Sequence, residues 1–347
     1  MDGLRNLRDV EIEPVPGLNI FLGANGAGKS SLLEGLSIFG LGRSFRTPRL
    51  RQLIAHDRDQ ALLYIESPVA GKAGIGLHKQ ADLQLRLNDS TVALHEMLAH
   101  FPFLLMEPGS WDHFSSGPLA RRRLLDWGLF HVEHDFLWHW QRYQRALEQR
   151  NSLLRRASTE AELYLGWEQQ MAQAAERLSL WRENYLQRID SSLQDDLAAY
   201  LPEFPLQMRY NRGWEGDLAK LLASKRHLDL QRTHTLHGAH RADISLTVRG
   251  KPAQEFLSRG QMKILTTLFR LQQMRLLIAD GLPTCLLVDD FSAELDANYR
   301  QLFLQLFRET QAQIWLTSTD NRWFSQQNNL AYKMFHVEQG RVYSMMG

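Results

Sequence analysis

The stretch that decides the fold is LNIFLGANGAGKS, Leu18–Ser30. Leu18, Ile20 and Leu22 supply a short apolar strand, and a glycine-rich turn then leads into a helix. Residues 23–30 match the phosphate-loop spacing G-x-x-x-x-G-K-[ST], in which backbone N–H groups and the helix N-terminus surround phosphates. The sequence therefore predicts an α/β protein that binds a nucleotide. The alternative is a glycine turn that binds nothing.

The motif also indicates how individual residues of this loop would act on a bound nucleotide. Lys29 would reach the β- and γ-phosphates, and the hydroxyl of Ser30 would ligate Mg²⁺. The predicted nucleotide contacts are Gly23, Ala24, Asn25, Gly26, Ala27, Gly28, Lys29, Ser30 and Ser31. The sequence thus predicts a nucleoside triphosphate and Mg²⁺ as cofactors.

An acidic pair far downstream fits the metal side of such a site. The segment CLLVDD, Cys285–Asp290, places a buried apolar strand directly before two aspartates. Asp289 at the strand end is where a P-loop protein holds Mg²⁺, and Asp290 could polarise the attacking water. Two such carboxylates repel each other unless a cation lies beside them. The alternative is a strand-end aspartate that caps a turn.

Helical periodicity dominates the middle of the chain. Between residues 119 and 205, apolar and aromatic residues recur at spacings of three and four. The two stripes are Phe136, Trp140, Tyr143 and Leu147, and Leu178, Trp181, Tyr185, Ile189, Leu193 and Leu197. We interpret them as core and predict a compact antiparallel bundle, too short for the long coiled coil of chromosome-structuring ATPases. Thr159 and Glu162 predict a capping box between the helices.

The helical segment separates the phosphate loop from the acidic pair and so interrupts one nucleotide-binding head. We predict the N-terminal part of the head at residues 1–118, the α-helical lobe at 119–205 and the C-terminal part of the head at 206–347. The expected fold class is α/β. It consists of a P-loop head with a mixed sheet and flanking helices, and an inserted α-helical lobe.

Composition limits the remaining function classes. With 347 residues and 44% hydrophobic residues the chain can build more than one lobe, and a formal net charge of +1 gives no global attraction to nucleic acid. One cysteine, Cys285, excludes an internal disulfide framework. The start, MDGLRNLRDVEIEP, lacks the apolar core of a secretion signal, and no run approaches the roughly 18 apolar residues of a membrane span. We expect a cytoplasmic protein with no membrane partner.

The segment LSRGQ, Leu257–Gln261, resembles the Leu-Ser-Gly-Gly-Gln signature of ATP-binding-cassette (ABC) enzymes, with Arg259 at the first glycine position. In those enzymes the signature opens a helix that contacts the γ-phosphate of ATP held by the partner subunit. The residues that the resemblance implies as trans contacts to ATP are Ser258, Arg259, Gly260 and Gln261. It also implies an ATP-dependent homodimer, with residues 292–296 lining its seam. The alternative is an ordinary serine N-cap.

Together these motifs resemble the RecF family of bacterial DNA-repair ATPases. Other segments agree over nearly the whole chain: GLGRSFRT, GPLARRRLLDWGLFH, YLPEFPLQ, RGWE and HGAHRADI. The resemblance implies an SMC-like, ABC-type ATPase with Asp290 and Lys29 in catalysis, Ser30 and Asp289 on Mg²⁺, and slow, DNA-stimulated hydrolysis of ATP. It also implies binding of gapped, double- and single-stranded DNA, and work with RecR and RecO to place RecA on single strands.

The chain departs from the family pattern in three places. Family members have an apolar strand before the segment that reads GLRNL here, so we expect a weakened sheet edge or a start further upstream. Pro108 and Gly109, preceded by Glu107, stand where the family has Pro-Glu, which leaves open the residue that contacts the Mg²⁺ water. No histidine follows the strand IWLTST, where ABC transporters have one. The RecF pattern indicates Thr317 or Thr319 in place of that histidine.

Clustered arginines are the candidates for DNA contact. The segment GRSFRTPRLRQL places Arg43, Arg46, Arg49 and Arg51 in a short loop, where guanidinium groups suit phosphates. The alternative is a solvated basic loop. Because no base-reading motif occurs, binding would be independent of sequence. On this interpretation, glutamate at Arg43 and Arg46 weakens duplex binding and leaves the affinity for ATP intact.

Two other functions share the same ATP chemistry. The nucleotide-binding subunit of a membrane transporter would carry the same loop and signature, but the helical lobe, the missing histidine and Arg259 argue against it. A structural SMC-like ATPase, or a defence ATPase with a fused nuclease, would need a long coiled coil or an acidic cluster after LLVDD. Stimulation of ATP turnover by duplex DNA would separate a DNA-repair ATPase from the transporter subunit.

Overall fold

The computed structural model describes residues 1–107, 113–291, 297–310, 312–320 and 332–345. By contacts between residues, the chain divides into two units. The first unit comprises residues 1–111 and 274–347, and the second comprises residues 112–273. The first unit is therefore built from both ends of the chain. Within the described ranges, no helix combines the length and the apolar character that crossing a membrane requires.

Helices and strands alternate along both ends of the chain, and helices dominate its middle. The helices are α1 (Lys29–Leu41), α2 (Leu94–His100), α3 (Pro118–Val132), α4 (Phe136–Arg155), α5 (Ala161–Tyr200), α6 (Leu218–Ser224), α7 (Arg226–Arg232), α8 (Arg259–Ala279) and α9 (Ala297–Arg308). The strands are β1 (Leu18–Leu22), β2 (Gln60–Ser67), β3 (Gly71–His78), β4 (Gln84–Leu87), β5 (Ser90–Thr91), β6 (Phe103–Met106), β7 (Leu206–Asn211), β8 (Asp243–Val248), β9 (Lys251–Pro252), β10 (Cys285–Val288), β11 (Gln313–Ser318), β12 (Tyr332–Glu338) and β13 (Arg341–Met345).

The main sheet of the first unit has the strand order β13-β12-β1-β11-β10-β6. Its neighbours pair in parallel except β12 and β13, which are antiparallel, so the sheet is mixed as predicted. Strands β1 and β10 are buried at every position, as the apolar runs LNIFL and CLLV of a sheet covered on both faces require. Parallel strands end at one edge, and the loops after β1, β6, β10 and β11 therefore gather there. The predicted α/β class is confirmed.

Aromatic packing fixes β1 between its two neighbours. Phe21 of β1 stacks on Trp315 of β11 at a centroid distance of 5.3 Å and on Phe335 of β12 at 4.8 Å. The same hydrophobic core contains Leu32 and Leu36 of α1. Because large aromatic side chains bury most of the area in such a core, this stack holds both the strand before the phosphate loop and the helix after it.

A second sheet in the first unit is antiparallel, in the order β2-β3-β4-β5. In β2, exposed and buried residues alternate over its first half, which is the pattern of a sheet with one face on a core and one in solvent. Ala61 and Leu63 point to the core, whereas Leu62 and Tyr64 are exposed. The N-terminal segment joins this region through isolated bridges from Asp2 to Leu62 and from Leu4 to Ile54.

The second unit contains the predicted helices. Helices α4 and α5 form an antiparallel hairpin, since Arg142 contacts Gln173 and Arg150 contacts Glu168. Every residue of the two predicted stripes is buried except Trp140 and Trp181, which are half-buried. The predicted capping box is wrong. Helix α5 begins one residue too late for Thr159 to be its N-cap, and no side chain caps it.

The second unit also contains a small antiparallel sheet, β7-β8-β9. Helix α5 contacts β7 and α6, and α3 contacts β8, so residues 206–273 pack with the helices. The division by contacts therefore places residues 112–273 together, whereas the sequence-based boundaries put the lobe at 119–205 and the rest with the head. The helical periodicity ends at Tyr200, and nothing in it marks the later strands as part of the same unit.

A buried ionic cluster joins the helices of the second unit. Arg150 has no exposed surface and donates to Glu168 at 3.1 Å and to Asp229 of α7 at 2.7 Å. Its remaining donors reach the hydroxyl of Thr235 at 2.8 Å and the carbonyl oxygen of Leu222 at 3.2 Å. Burial of charges is costly unless each has partners, and here every carboxylate and the guanidinium are paired.

Candidate active site

The turn after β1 has the conformation that its glycines allow. Gly26 and Gly28 have φ angles of 80° and 120°, a region that residues with a Cβ rarely adopt. A Cβ on Gly23 would collide with the carbonyl oxygen of Val337 on β12. The carbonyl oxygen of Gly28 accepts the N–H of Leu32 at 3.0 Å, which opens α1 directly behind the loop. Backbone N–H groups and a helix N-terminus therefore converge at the carboxyl edge of the sheet, where an anion is stabilised.

The Lys29 side chain folds back over this loop. Its Nζ donates to the carbonyl oxygens of Gly23 at 2.8 Å and Ala24 at 3.0 Å, and only 7% of the residue is exposed. Burial lowers the pKa of Lys29, and the negative charges of Asp290 and Asp289 oppose that shift. The ammonium group is thus held at the loop by two backbone carbonyl oxygens, within range of the charges of the acidic pair.

The structure brings Ser30 and Asp289 together from opposite ends of the chain. The hydroxyl of Ser30 donates to Asp289 Oδ1 at 3.0 Å, and the hydroxyl of Thr317 donates to the same oxygen at 2.7 Å. Burial raises the pKa of Asp289, and the hydrogen bonds from Thr317 and Ser30 lower it. Asp289 directly follows β10, whose parallel pairing with β11 sets the carboxylate beside Thr317.

Asp290 turns away from Asp289 and lines the cavity. Its φ angle is 52°, in the left-handed region, and its N–H donates to the hydroxyl of Thr317 at 2.9 Å. Thr317 therefore holds both aspartates, one by its proton and the other by its oxygen. Asp and Asn tolerate this backbone conformation better than other residues with a side chain, so the turn favours one of these two residue types at position 290.

A cavity of about 140 Å³ lies over the loop. Its walls are formed by Asn25, Gly26, Gly28, Lys29, Ser30, Ser31, Arg46, Asp290 and Thr317. Arg46 contributes positive charge that lowers the pKa of Asp289, against its burial. Burial raises the pKa of Glu107, at the end of β6, and so does the charge of Asp289, whereas Arg43 lowers it. Two of the four arginines predicted for DNA contact thus face the acidic residues of this site.

This placement changes one expectation from the sequence. Substitution of Arg46 was expected to leave the affinity for ATP intact, but its side chain lines the cavity beside Lys29 and Ser30. The nucleotide affinity should therefore respond to Arg46. The assignment of Arg43, Arg46, Arg49 and Arg51 to DNA stays a prediction. Arg49 and Arg51 are exposed, and neither lines the cavity.

The oxygen atoms at this edge fit Mg²⁺. Ser30 and Asp289 present hard oxygen ligands 3.0 Å apart, with Asp290 and Glu107 close by. Burial and neighbouring negative charge both raise the pKa of Asp289, which is the unfavourable environment that a cation would relieve. No cluster of three or more His, Cys, Asp or Glu ligands occurs in the described residues, so a metal here would depend on phosphate and water for its other ligands.

Asn6 supports the loop from the N-terminal segment, a role that the sequence did not reveal. Its Nδ2 donates to the carbonyl oxygen of Gly26 at 3.2 Å, and its Oδ1 accepts the hydroxyl of Ser31 at 3.2 Å. Glu34 of α1, fully buried, was also missed, and it accepts two hydrogen bonds from Arg5. A glutamate among the apolar residues of SLLEGLSIF is the only hint of this pair in the sequence.

The signature residues belong to the second unit. The N–H of Ser258 donates to Gln261 Oε1 at 2.8 Å, and the N–H of Gln261 donates to Ser258 Oγ at 3.3 Å. These reciprocal bonds form a capping box at the start of α8, so the capping interpretation holds within one chain. Ser258 and Arg259 are exposed, and Gly260 is half-buried. Their contact with ATP in trans stays a prediction.

Comparison with known proteins identifies the family of this chain. The model of the RecF/RecN/SMC N terminal domain family matches residues 1–343. The chain is 38% identical to the DNA replication and repair protein RecF of Chromohalobacter salexigens, over 98% of this chain and 97% of that protein. The chain belongs to the RecF family.

Solved structures of RecF share its fold. The recombination mediator protein RecF-ATPrS in RecFOR pathway has a TM-score of 0.86 and 24% identity, covering 99% of this chain and 96% of that one. The RecF-ATP structure of the same pathway has a TM-score of 0.84 and 23% identity, with the same coverage. At these identities the likeness shows the fold alone.

The departures from the RecF pattern have different outcomes. Of the two threonines considered for the missing histidine, Thr317 contacts both aspartates and lines the cavity. Glu107 lies near enough to Asp289 for their charges to interact. Pro108 and Gly109, and the seam residues 292–296, lie outside the described residues. The weakened sheet edge expected from the N-terminal segment stays a prediction, and in the structure Asp2 and Leu4 of that segment bridge to Leu62 and Ile54.

Proposed function

We propose that this RecF-family chain is an ATP-dependent, DNA-binding ATPase of recombinational gap repair. In this proposal ATP drives two copies into a dimer, and slow hydrolysis of ATP releases them. The observation that carries the proposal is the 3.0 Å contact between Ser30 and Asp289, in a cavity that Lys29, Arg46 and Asp290 also line. A phosphate loop alone would support nucleotide binding only. The adjacent carboxylates add the means to hydrolyse.

The residues of the cavity divide the work. Backbone N–H groups of the loop and the Lys29 ammonium stabilise the charge of the β- and γ-phosphates. Asp290, turned into the cavity, accepts a proton from the attacking water and orients it, which makes it the catalytic base. Ser30 and Asp289 would hold Mg²⁺, which supplies positive charge to the phosphates when bound.

The second half of the proposed site comes from another copy of the chain. Ser258, at the exposed N-terminus of α8, would contact the γ-phosphate bound to the partner, with Arg259, Gly260 and Gln261 beside it. A helix N-terminus with free N–H groups is a favourable place for an anion. ATP would then bridge two copies, and its hydrolysis would remove the bridging phosphate and weaken the dimer.

The proposed partners follow from the relatives. RecF of Chromohalobacter salexigens is described as a DNA replication and repair protein, and solved RecF structures belong to the RecFOR pathway. We infer that this chain binds gapped, double- and single-stranded DNA and works with RecR and RecO to load RecA. Sequence-independent contacts from the arginine loop would serve DNA of any sequence.

Two inactive variants, mixed together, test whether the site is shared. Lys29→Met should weaken ATP binding about 10- to 100-fold, because a charge-assisted contact to phosphate is lost. Ser258→Arg should retain ATP binding but abolish ATP-dependent dimerisation. A mixture of the two should regain dimers with one complete site, because the Lys29 variant lends its intact Ser258 to ATP held by the Ser258 variant. Light scattering with and without ATP measures the dimer.

Two outcomes contradict the proposal. If neither variant alone dimerises and their mixture also stays monomeric, the trans contact from Ser258 is wrong. If the unmodified chain binds no ATP, as measured by titration calorimetry, the ATPase itself is wrong. Ser224→Arg, on the exposed end of α6 in the same unit as Ser258, is the matched control and should dimerise normally.

Charge reversal at Arg49 and Arg51 tests the proposed DNA surface. Both side chains are exposed and neither lines the nucleotide cavity, so the double variant Arg49→Glu/Arg51→Glu should leave ATP affinity unchanged. Its affinity for duplex DNA should fall, and the slope of log affinity against log salt should decrease by about two, one for each lost phosphate contact. Arg86→Glu on β4 is the control. An unchanged salt slope would remove these arginines from the DNA surface.

A further inference from the structure

A buried carboxylate connects the phosphate-binding helix to the loop that carries Arg46. Glu34 lies on α1, one helical turn after Ser30, and its side chain has no exposed surface. Its two oxygens accept Nε of Arg5 at 3.0 Å and Nη2 of Arg5 at 3.1 Å. The hydroxyl of Ser44 donates to Glu34 Oε1 as a third bond. A carboxylate bound in this way has little freedom to move.

Ser44 passes this constraint to the backbone on either side of Arg46. Its Oγ accepts the N–H of Arg46 and the N–H of Thr47, both at 3.0 Å. A single hydroxyl therefore gives its proton to Glu34 and receives two backbone donors from the next residues. The hydroxyl of Ser37 of α1 donates to the carbonyl oxygen of Glu34 at 2.7 Å and lies 3.4 Å from the carbonyl oxygen of Arg43. The loop is thus fixed to the helix that begins with Lys29 and Ser30.

The exposed side chain at the end of this chain of contacts is Arg46. It lines the cavity over the phosphate loop, yet its residue is exposed to solvent, so side-chain packing contributes little to its position. The position of Arg46 therefore depends on its backbone, which the hydrogen bonds to Ser44 hold in place. The backbone of Arg5 is strained, because its φ of 54° lies in the left-handed region. Its N–H donates to the carbonyl oxygen of Leu53 at 2.6 Å. Such strain persists only where surrounding contacts over-determine it.

We propose that Glu34 and Ser44 are positioning residues that hold Arg46 at the triphosphate, so that the helix carrying Lys29 and Ser30 and the loop carrying Arg46 grip ATP as one rigid group. The inference rests on the proposed ATP binding and adds to it the residues that set the reach of Arg46. Neither Glu34 nor Ser44 lines the cavity, so both act through Arg46. Preorganised donors lower the cost of ordering on binding, and a loosened Arg46 would lose that advantage.

A double-mutant cycle on ATP affinity tests the proposal. We expect Arg46→Ala to weaken ATP binding about tenfold and Ser44→Ala to weaken it about fivefold, the range for a hydrogen bond to a charged group and for its partial loss. Because Ser44 acts through Arg46, the double variant should bind as weakly as Arg46→Ala alone. Independent effects would instead multiply to about fiftyfold. The measurement is titration calorimetry with ATP and with ADP at fixed Mg²⁺.

Thr47→Ala is the matched control in the same loop. The hydroxyl of Thr47 donates to the side-chain oxygen of Gln52 and accepts the N–H of Arg49, and it has no hydrogen bond to Glu34 among the described contacts. If the general packing of the loop does not control ATP binding, the Thr47→Ala variant should keep its ATP affinity within about twofold. Glu34→Gln can replace Ser44→Ala in the double-mutant cycle if Ser44→Ala fails to fold, because it keeps the size of the side chain. It should weaken ATP binding by itself and have no further effect on ATP affinity when combined with Arg46→Ala.

The outcomes separate the two proposals. An unmodified chain that binds no ATP overturns the proposed function. A chain that binds ATP normally while Ser44→Ala stays within twofold of it, or while the two substitutions multiply, overturns only the positioning role. If Thr47→Ala weakens ATP binding as much as Ser44→Ala does, the loop acts through its general packing and not through the hydrogen bond between Ser44 and Glu34.

Discussion

Replacing Asp290 with Asn is expected to slow ATP hydrolysis by about 10²- to 10⁴-fold, the usual contribution of a general base. Asp290 lines the cavity, and an amide in its place cannot accept a proton from water. ATP should stay bound, because the phosphate loop and Lys29 are untouched. The dimer should accumulate with ATP, since in the proposed cycle hydrolysis is the step that releases it. Single-turnover hydrolysis and light scattering measure the two effects.

Asparagine is the informative replacement at this position. The φ of 52° at residue 290 lies where Asn is tolerated nearly as well as Asp, so the turn and the N–H bond to Thr317 should survive. Asp289→Asn is the contrasting variant, because it should weaken Mg²⁺-dependent ATP binding rather than leave ATP trapped. An Asp290→Asn protein that hydrolyses ATP at nearly the normal rate would exclude Asp290 as the base. One that stays monomeric with ATP would contradict the release step.

Replacing Arg150 with Met is expected to destabilise the second unit by about 3–5 kcal/mol, the usual cost of breaking a buried ion pair on one side. Glu168 would keep Arg226 at 2.7 Å, but among the described residues Asp229 would keep the N–H of Leu236 at 3.0 Å and no other partner. A buried carboxylate with one partner is poorly stabilised. Urea unfolding, followed by the helical circular dichroism signal, measures the loss in the free energy of unfolding.

Arg145 provides the comparison on the same helix. It is exposed, and Arg145→Met should change stability by no more than about 0.5 kcal/mol. The two variants lose the same charge and the same side-chain length, so the difference between them isolates burial. If Arg150→Met unfolds at the same urea concentration as Arg145→Met, the cluster of Arg150, Glu168 and Asp229 contributes no net stability.

Local sequence patterns predicted the strand, turn and helix of the phosphate-loop motif, because the chemistry of such a loop requires fixed spacings. Gly28 needs a φ that only glycine adopts readily, and the short apolar run before Asp289 is typical of a buried strand. The pairing of Ser30 with Asp289 also followed, since P-loop proteins place both at one sheet edge. These are short-range rules that one sequence displays.

Contacts between distant segments could not be predicted in this way. The bonds from Asn6 to Gly26 and from Ser44 to Glu34 depend on how loops return to α1, and no periodicity encodes that path. The place of Arg46 at the cavity could not be predicted either, because arginine in a basic loop suits any phosphate, whether in a nucleic acid or in a nucleotide. The division of the chain at residues 112 and 273 depends on packing of β7 and β8 against helices, which the helical stripes do not show.

The order of strands in the main sheet has a consequence for biosynthesis. Strand β1 emerges early from the ribosome, but both of its neighbours, β11 and β12, are encoded near the end of the chain. The second unit is one continuous stretch and can collapse during translation, as units with local contacts do. Until β11 and β12 have been synthesised, β1 has no neighbouring strands in the sheet. A nascent or truncated chain that stops before residue 313 therefore exposes the apolar residues of β1 to chaperones and proteases.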